Sequence, residues 1–390
     1  MRLIGVGRAD RGPIADWWWT VDRWTLAAVF ALILIGALLS LAASPAVAMR
    51  ENFAQFHFVI RQMIFIGPAL IVLIGVSVLN VVQARRLALL LLIGAIAMMV
   101  LTLVIGPEKN GAHRWLDFGY FSLQPSEFSK PAFVVVAAWL LTADREQWRT
   151  GFIAPGTLAA IGIFTVLISI LALQPDFGQA MLLACVFGLL MFVNGLSWGW
   201  IGLFGLAGIG GAVGAYNVMP HVASRVDRFL DPSSGDTYQI DRALDAFAAG
   251  GLFGRGPGEG EVKSILPDAH TDFIFAVAAE EYGVIAGLII ISLFGFVAIR
   301  SLLRVSETND PFVQLAASGL AGLFAVQAFI NMAVNVNLLP AKGMTLPFIS
   351  YGGSSLLALS FTMGFLLAFT RWRAGRTPST AVPASREAWA

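Results

Sequence analysis

An all-helical, multi-pass membrane fold is predicted by three features of this sequence. Hydrophobic residues make up 57% of the chain and charged residues 13%, where a soluble domain carries about 45–50% and about 25%. The mean hydropathy is +0.77. Apolar runs of about 20 residues, each long enough to cross a bilayer, recur between charged breaks. The net charge of +1 comes with no basic cluster, which points away from nucleic acid. Cys185 is the single cysteine, so an intrachain disulfide is excluded, and its apolar setting reads as that of a small buried side chain.

The spacing predicts about ten transmembrane helices, at about residues 24–44, 63–82, 87–105, 124–142, 156–173, 178–195, 197–216, 283–303, 312–333 and 350–370. Both termini then lie on one side. Basic residues in short loops and tails favour the cytoplasm. They collect on the side of the termini, from Arg2 and Arg23 through Arg85, Arg86, Arg300 and Arg304 to Arg371, so both termini are expected to be cytoplasmic. The chain divides into a cytoplasmic tail (1–23), a membrane domain (24–372) with a long extracytoplasmic loop (217–282) between helices 7 and 8, and a second cytoplasmic tail (373–390). That last tail is rich in Pro, Ser, Thr and Ala and is expected to be disordered.

The first span follows Trp17, Trp18 and Trp19 and opens with Trp24, as interfacial anchors do. Ala46-Val47-Ala48 resembles a signal-peptidase site, but the preceding run is about 20 residues, long enough to remain as an uncleaved helix. The second and third spans run between Arg61, Arg85–Arg86 and Glu108. The fourth must start near Gln124-Pro125-Ser126, because the apolar stretch from Pro131 alone is only about 12 residues and cannot cross. That start places Glu127 and Lys130 on one helical face inside its outer end, as a structural ion pair or as the wall of a polar cavity. Gln174-Pro175-Asp176-Phe177-Gly178-Gln179 is a tight outward turn whose Asp suits the cap of the next helix. In the seventh span, Gly202, Gly205, Gly208, Gly210, Gly211 and Gly214 suggest close helix packing.

Within the long outer segment, Ile240, Ala243, Leu244 and Phe247 share a helical face. The glycine-rich run 250–260 follows; its backbone N–H groups could approach a phosphate, or it is a plain loop. Next comes Leu266-Pro267-Asp268-Ala269-His270-Thr271-Asp272-Phe273. An acid at the membrane edge is expensive and usually has a job. Asp272 is either a first-turn acid favoured by the helix dipole or a functional carboxylate, its pKa lowered by the dipole and raised by burial against Phe273 and Phe275. His270 lacks ligand spacing to the other histidines and reads as a polar neighbour, not a metal ligand. The eighth span either starts after Glu280 and Glu281 or buries one of them. Asn331 and Asn335, four apart in the ninth span, suit hydrogen bonding between helices. Ser350-Tyr351-Gly352-Gly353-Ser354-Ser355 opens the tenth with a donor-rich end suited to an anion. With Glu127, Lys130 and Asp272 at the same level, an outward-facing polar cavity is expected.

These motifs resemble those of the SEDS family of bacterial cell-wall polymerases, the FtsW/RodA family, over about residues 20–372. The matching residues are Arg114-Trp115-Leu116, the run Gln124 to Lys130, Gln174 to Gly178, Leu266 to Glu281, and Lys342 to Ser355. Ala341 departs from the hydroxyl residue that many members carry. The Trp-rich N-terminal approach and Asp22-Arg23-Trp24 are more like the cell-division branch than the elongation branch.

The resemblance implies a peptidoglycan glycosyltransferase that polymerises lipid II at the outer face of the cytoplasmic (inner) membrane, at the division septum. It maps the family's essential Asp onto Asp272 and its paired Glu and Lys onto Glu127 and Lys130. Lys130 and one or more of Arg114, Arg225, Arg228 and Arg255 would offset diphosphate charge, Glu127 would position Lys130, and His270 and Ser354 join the substrate-binding set. Implied partners are lipid II and the growing glycan strand, a class B penicillin-binding protein as transpeptidase, other division-complex membrane proteins and membrane lipids. No closed ligand set for a metal is present, so a divalent cation such as Mg or Mn enters only as an optional assistant. The rival classes are a lipid II flippase, an elongation-type polymerase and a scaffold for division proteins. A flippase requires access from both faces, whereas the candidate chemistry here gathers at one.

Overall fold

The computed structural model describes residues 12–108, 112–119, 121–143, 155–195, 198–231, 233, 235, 237–340 and 343–371. The C-terminal tail, Ala341 and Lys342 lie outside these residues. In chain order the elements are α1 (Pro13–Thr20), α2 (Arg23–Arg50), α3 (His57–Val78), α4 (Val81–Ile105), β1 (Leu116–Asp117), β2 (Ser122–Leu123), α5 (Pro125–Ala143), α6 (Pro155–Leu173), α7 (Phe177–Val193), α8 (Trp198–Val218), α9 (Pro220–Leu230), α10 (Tyr238–Gly250), α11 (Val262–Ile265), α12 (Ile274–Ser306), α13 (Pro311–Asn335) and α14 (Gly353–Thr370).

Ten of these helices, α2–α8 and α12–α14, correspond in order to the ten expected spans. The protein is an all-helical, multi-pass membrane protein; seven of the helices are both long and apolar enough to cross a membrane by length and composition alone. Among the described residues the only sheet is the two-residue pairing of β1 with β2, which closes the loop before α5.

The boundaries differ where local chemistry extends a helix past its apolar run. Asn80 and Gln83 form a reciprocal capping box, so α4 starts at Val81 and takes Arg85 and Arg86 into its first turns. α5 starts at Pro125, as the length of its apolar run requires. α12 starts well before residue 283, and Gly283, at φ +77°, breaks it. Both Glu280 and Glu281 are buried on the near side of that break.

α5, α13 and α14 form the buried centre. α14 packs on α3 and α5, and α13 on α5, α7 and α12. Phe133, Phe324 and Phe365 are fully buried and fill the middle of this core. At the end of the bundle farther from Asp272, α1 is pinned by Trp17 Nε1 donating to Ser77 Oγ at 2.8 Å. Asp22 caps α2 and accepts a two-pronged ion pair from Arg300 of α12, at 2.7 and 2.8 Å.

Two packing expectations fail. The α8 glycines meet no neighbouring atoms where a Cβ would stand, because α8 sits at the periphery, with Leu203, Leu206, Ile209 and Val213 exposed as well. Cys185 is exposed on the lipid-facing side of α7 instead of buried.

Candidate active site

Asp272 is carried by a turn, not by the first turn of a helix. α12 begins only at Ile274, with Phe273 at its N-cap, so the dipole argument for a lowered pKa loses its geometry. The turn is closed by Thr271 and Phe273 N–H groups donating to the Asp268 carbonyl at 3.0 and 3.2 Å. Leu266 and Ala269 are fully buried beneath it. Asn331 and Asn335 of α13 each donate a side-chain N–H to the Asp272 carbonyl, both at 2.9 Å. Ser350 Oγ donates to the Thr271 carbonyl at 2.5 Å. The backbone under Asp272 is thus held from two other elements while its side chain points away.

That side chain faces a cavity of about 320 Å³. The wall comprises Arg61 and Phe65 of α3, Trp115, Ser122 and Gln124 from the hairpin loop, Glu127 of α5, Gln179 of α7, Thr271, Gly343, Thr345 and the start of α14 from Tyr351 to Ser355. A Cβ at Gly343 would stand 3.4 Å from Asp272 Oδ2, so the glycine leaves room beside the carboxyl. Burial pushes the Asp272 carboxyl up to about 7; the charge of Asp268 adds to this and that of Arg225 opposes it. Desolvation therefore prevails over every charge that would hold the group ionised.

The structure brings Asp272, Glu127 and Ser354 to one cavity. Lys130 stands behind that wall. It donates to Glu127 Oε2 at 2.9 Å, to Gln179 Oε1 at 2.8 Å and to Gln327 Oε1 at 3.4 Å. Gln179 Nε2 donates to Glu127 Oε1 at 2.6 Å. Both Glu127 oxygens are engaged, so the expected order of support is reversed: Lys130 and Gln179 fix Glu127, and Glu127 faces the cavity.

The arginines separate. Arg114 donates to the Gln174 carbonyl at 3.0 Å and to the Pro175 carbonyl, and pairs with Asp176 at 3.8 Å, so it clamps the α6–α7 turn. Asp176 caps α7 as expected, accepting from Gln179 N–H at 3.4 Å. Arg225, on α9, is desolvated and close enough to Arg114 and Arg228 for their charges to lower its pKa further, while Asp176 and Asp272 oppose that shift. Of these three, Arg225 is the one whose charge acts on Asp272. Arg255 does not join them; its guanidinium pairs with Glu261 at 3.1 Å at the surface.

His270 lies off the cavity wall. Its ring packs against Phe58 and Tyr351, with centroids 4.6 and 5.3 Å away. Burial, helped by the charge of Arg50, pushes its pKa down to about 4, so it is neutral near pH 7 and offers a phosphate no charge. The glycine-rich run is not a phosphate cradle either. Arg255 and Gly256 N–H groups donate to the carbonyls of Glu280 and Glu281 at 2.9 and 3.0 Å. Val262 and Lys263 N–H groups donate to the Glu280 carboxylate at 2.7 and 2.8 Å, and Lys263 Nζ pairs with Glu281. Those donors are consumed in anchoring the loop. Among the described residues, no group of three His, Cys, Asp or Glu side chains could hold a metal ion.

Sequence reading missed Arg61, Gln179 and Trp115 as cavity residues, whereas Tyr351 lies in the donor-rich start of α14 that it singled out. Arg61 had a visible signal, a charge at the outer end of an apolar run. Gln179 had none, since its role depends on Glu127 lying across from it on another helix.

A family model described as cell cycle protein, covering FtsW, RodA and SpoVE, matches residues 23–374. The chain is 46% identical over 370 residues to a probable peptidoglycan glycosyltransferase FtsW of Caulobacter vibrioides, covering 94% of each. It is 37% identical to the protein of the same description from Trichlorobacter lovleyi, covering 89% of this chain and 92% of that one. Among solved structures, a chain of a peptidoglycan synthase complex that coordinates polymerization and crosslinking superposes with a TM-score of 0.74 at 26% identity, over 90% of this chain and 98% of that one. The rod shape determining protein RodA of Thermus thermophilus superposes with a TM-score of 0.64, also at 26% identity, over 90% of this chain and 97% of that one.

Proposed function

The chain belongs to the FtsW, RodA and SpoVE family of cell cycle proteins, and from that membership we propose that the cavity around Asp272 is where it joins sugars. It is a peptidoglycan glycosyltransferase that polymerises lipid II in cell division. The observation that carries the site is a carboxyl on a rigidly held turn, facing a polar cavity at the membrane edge, with burial pushing its pKa up to about 7. A base works best when its pKa lies near the working pH.

In this reading Asp272 accepts the proton of the acceptor sugar hydroxyl as that oxygen bonds to the donor's anomeric carbon. The bond from that carbon to the lipid diphosphate breaks, and the diphosphate leaves with the electron pair. Arg225, supported by Arg114 and Arg228, offsets the charge that develops there. Glu127 and the Ser354 end of α14 orient the polar head. The 217–282 segment faces outward and both tails lie in the cytoplasm. The working partner is a class B penicillin-binding protein, alongside other division-complex membrane proteins at the septum. No observation favours a lipid flippase, since Phe133, Phe324 and Phe365 fill the middle of the core.

The test is polymerisation of labelled lipid II by the chain together with its penicillin-binding partner, blocked in transpeptidation. Wild type makes long glycan strands, and Asp272→Ala, matched for folding, makes none. Strands from the variant would remove Asp272 from the chemistry while keeping the enzyme.

A further inference from the structure

A second cavity, of about 540 Å³, lies at the other end of the molecule. It is lined from the start of α2 and the end of α12, roughly 40 Å along that helix from Asp272 at 1.5 Å per residue. Arg23, Trp24 and Ala27 contribute one wall, Arg300 and Arg304 the other, and Trp19 to Asp22 close the corner. Three arginines against one aspartate leave positive charge in excess. Arg300 is committed to Asp22 by its two-pronged pair. Arg304 pairs loosely with the exposed Glu307, at 3.9 Å, and its charge also acts on Asp22. Arg23 lies over the Trp18 and Trp19 rings, at 5.7 and 5.3 Å, a contact that uses its charge and not its N–H donors.

Beyond this cationic end, the exposed faces of the two helices are apolar. Arg23, Ala27, Phe30 and Leu34 follow one face of α2, and Arg304, Arg300 and Phe296 one face of α12. Phe30, Leu34 and Phe296 are exposed by 38%, 62% and 41%. Trp24, 67% exposed, stands at the level where indole rings anchor to headgroups. Cations at the membrane surface with an apolar track directly behind them match an amphiphile with an anionic head. We propose that this cavity binds the phosphate headgroup of an anionic phospholipid of the inner leaflet, its acyl chains lying along these faces of α2 and α12.

The full-length chain is purified in detergent and titrated with phosphatidylglycerol or acyl-matched phosphatidylcholine, with bound lipid counted by native mass spectrometry. The expected result is one retained phosphatidylglycerol with a roughly tenfold preference over phosphatidylcholine. R23Q/R304Q should lower that preference to about twofold or less. Ala27→Trp, which fills the cavity and leaves every charge in place, should also lose the lipid. Equal retention of the two lipids, or a preference unchanged in R23Q/R304Q, overturns the proposal. Displacement by millimolar glycerol phosphate would overturn it in favour of a site for soluble phosphate esters.

Discussion

In its proposed role, Asp272 is a group whose function and stability pull in opposite directions. In the unfolded chain it ionises near 3.8, whereas in the fold burial holds its proton to about 7. Between those values the folded state binds more protons than the unfolded one, so stability falls as pH rises through that window. Above about 7 the fold carries a desolvated charge. Asp272→Asn should therefore raise the melting temperature at pH 8 and have little effect at pH 4, while abolishing polymerisation. The wild-type rate should rise with pH through about 7, because only the ionised carboxylate accepts a proton; a rate flat from pH 5.5 to 8 would contradict the assignment. Lys130 supports a different expectation. Removing one partner of a buried pair strands the other charge, at a cost of about 3–5 kcal/mol. Lys130→Met and Glu127→Gln should both lower the melting temperature sharply, since the amide leaves the Lys130 charge without its counter-charge and turns an N–H donor toward Lys130 or Gln179, where the carboxylate accepted from both.

At the scale of elements, the break in α12 governs the outer segment. Gly283 has φ +77°, and its missing side chain lets the backbone of Leu252 and Gly254 approach. Gly250 and Gly254 are likewise pressed against the backbone of Ala279 to Tyr282. The glycines that looked like a phosphate loop serve this contact. Gly283→Ala places a side chain at φ +77° and ψ −178°, a backbone region essentially reserved for glycine, at a cost of about 1–3 kcal/mol before any clash. It should lower thermal stability and open the 250–263 loop to proteolysis; an unchanged digestion pattern would show that the loop is held by Glu280 and Glu281 alone. α10 is half legible in the same way. Its helical period was visible, but Ala243, Ala246 and Gly250 form the buried face and Leu244 is 39% exposed. α12 receives α10 through Ala243, Ala246 and Gly250, with the Phe247 ring 5.6 Å from that of Phe275, and Leu244 falls outside this face.

At the scale of the molecule, the two ends of the bundle hold opposite chemistry. One end carries Asp272 in its desolvated turn, and the other joins α2 to α12 through Asp22 and Arg300. Hydrogen bonds to charged groups contribute about 1.5–3 kcal/mol each way. Asp22→Ala should destabilise the chain by about that amount in a detergent melt, and Arg300→Ala on top of it should add little, because the two changes break one interaction. Additive losses would show that each side chain has an independent role.

The sequence by itself determined the class of fold and the number and order of its long helices. Water cannot satisfy a backbone in hydrocarbon, so apolar runs of the right length have one structural outcome. It also located α5 from length alone, the Asp176 cap from turn chemistry and Asp272 as a charged residue at the membrane edge. Only the tertiary structure decided how those residues are used. It turned Lys130 away from the cavity and Glu127 toward it, made His270 a neutral packing group, gave Arg255 to Glu261 and brought in Arg61 and Gln179. Each outcome depends on what stands opposite across helices far apart in sequence: Gln327 beside Lys130, Phe58 beside His270, and Asn331 and Asn335 beneath Asp272. Local pattern records which side chains a helix carries on each face, whereas desolvation and charge pairing, which set the chemistry, are properties of the neighbours.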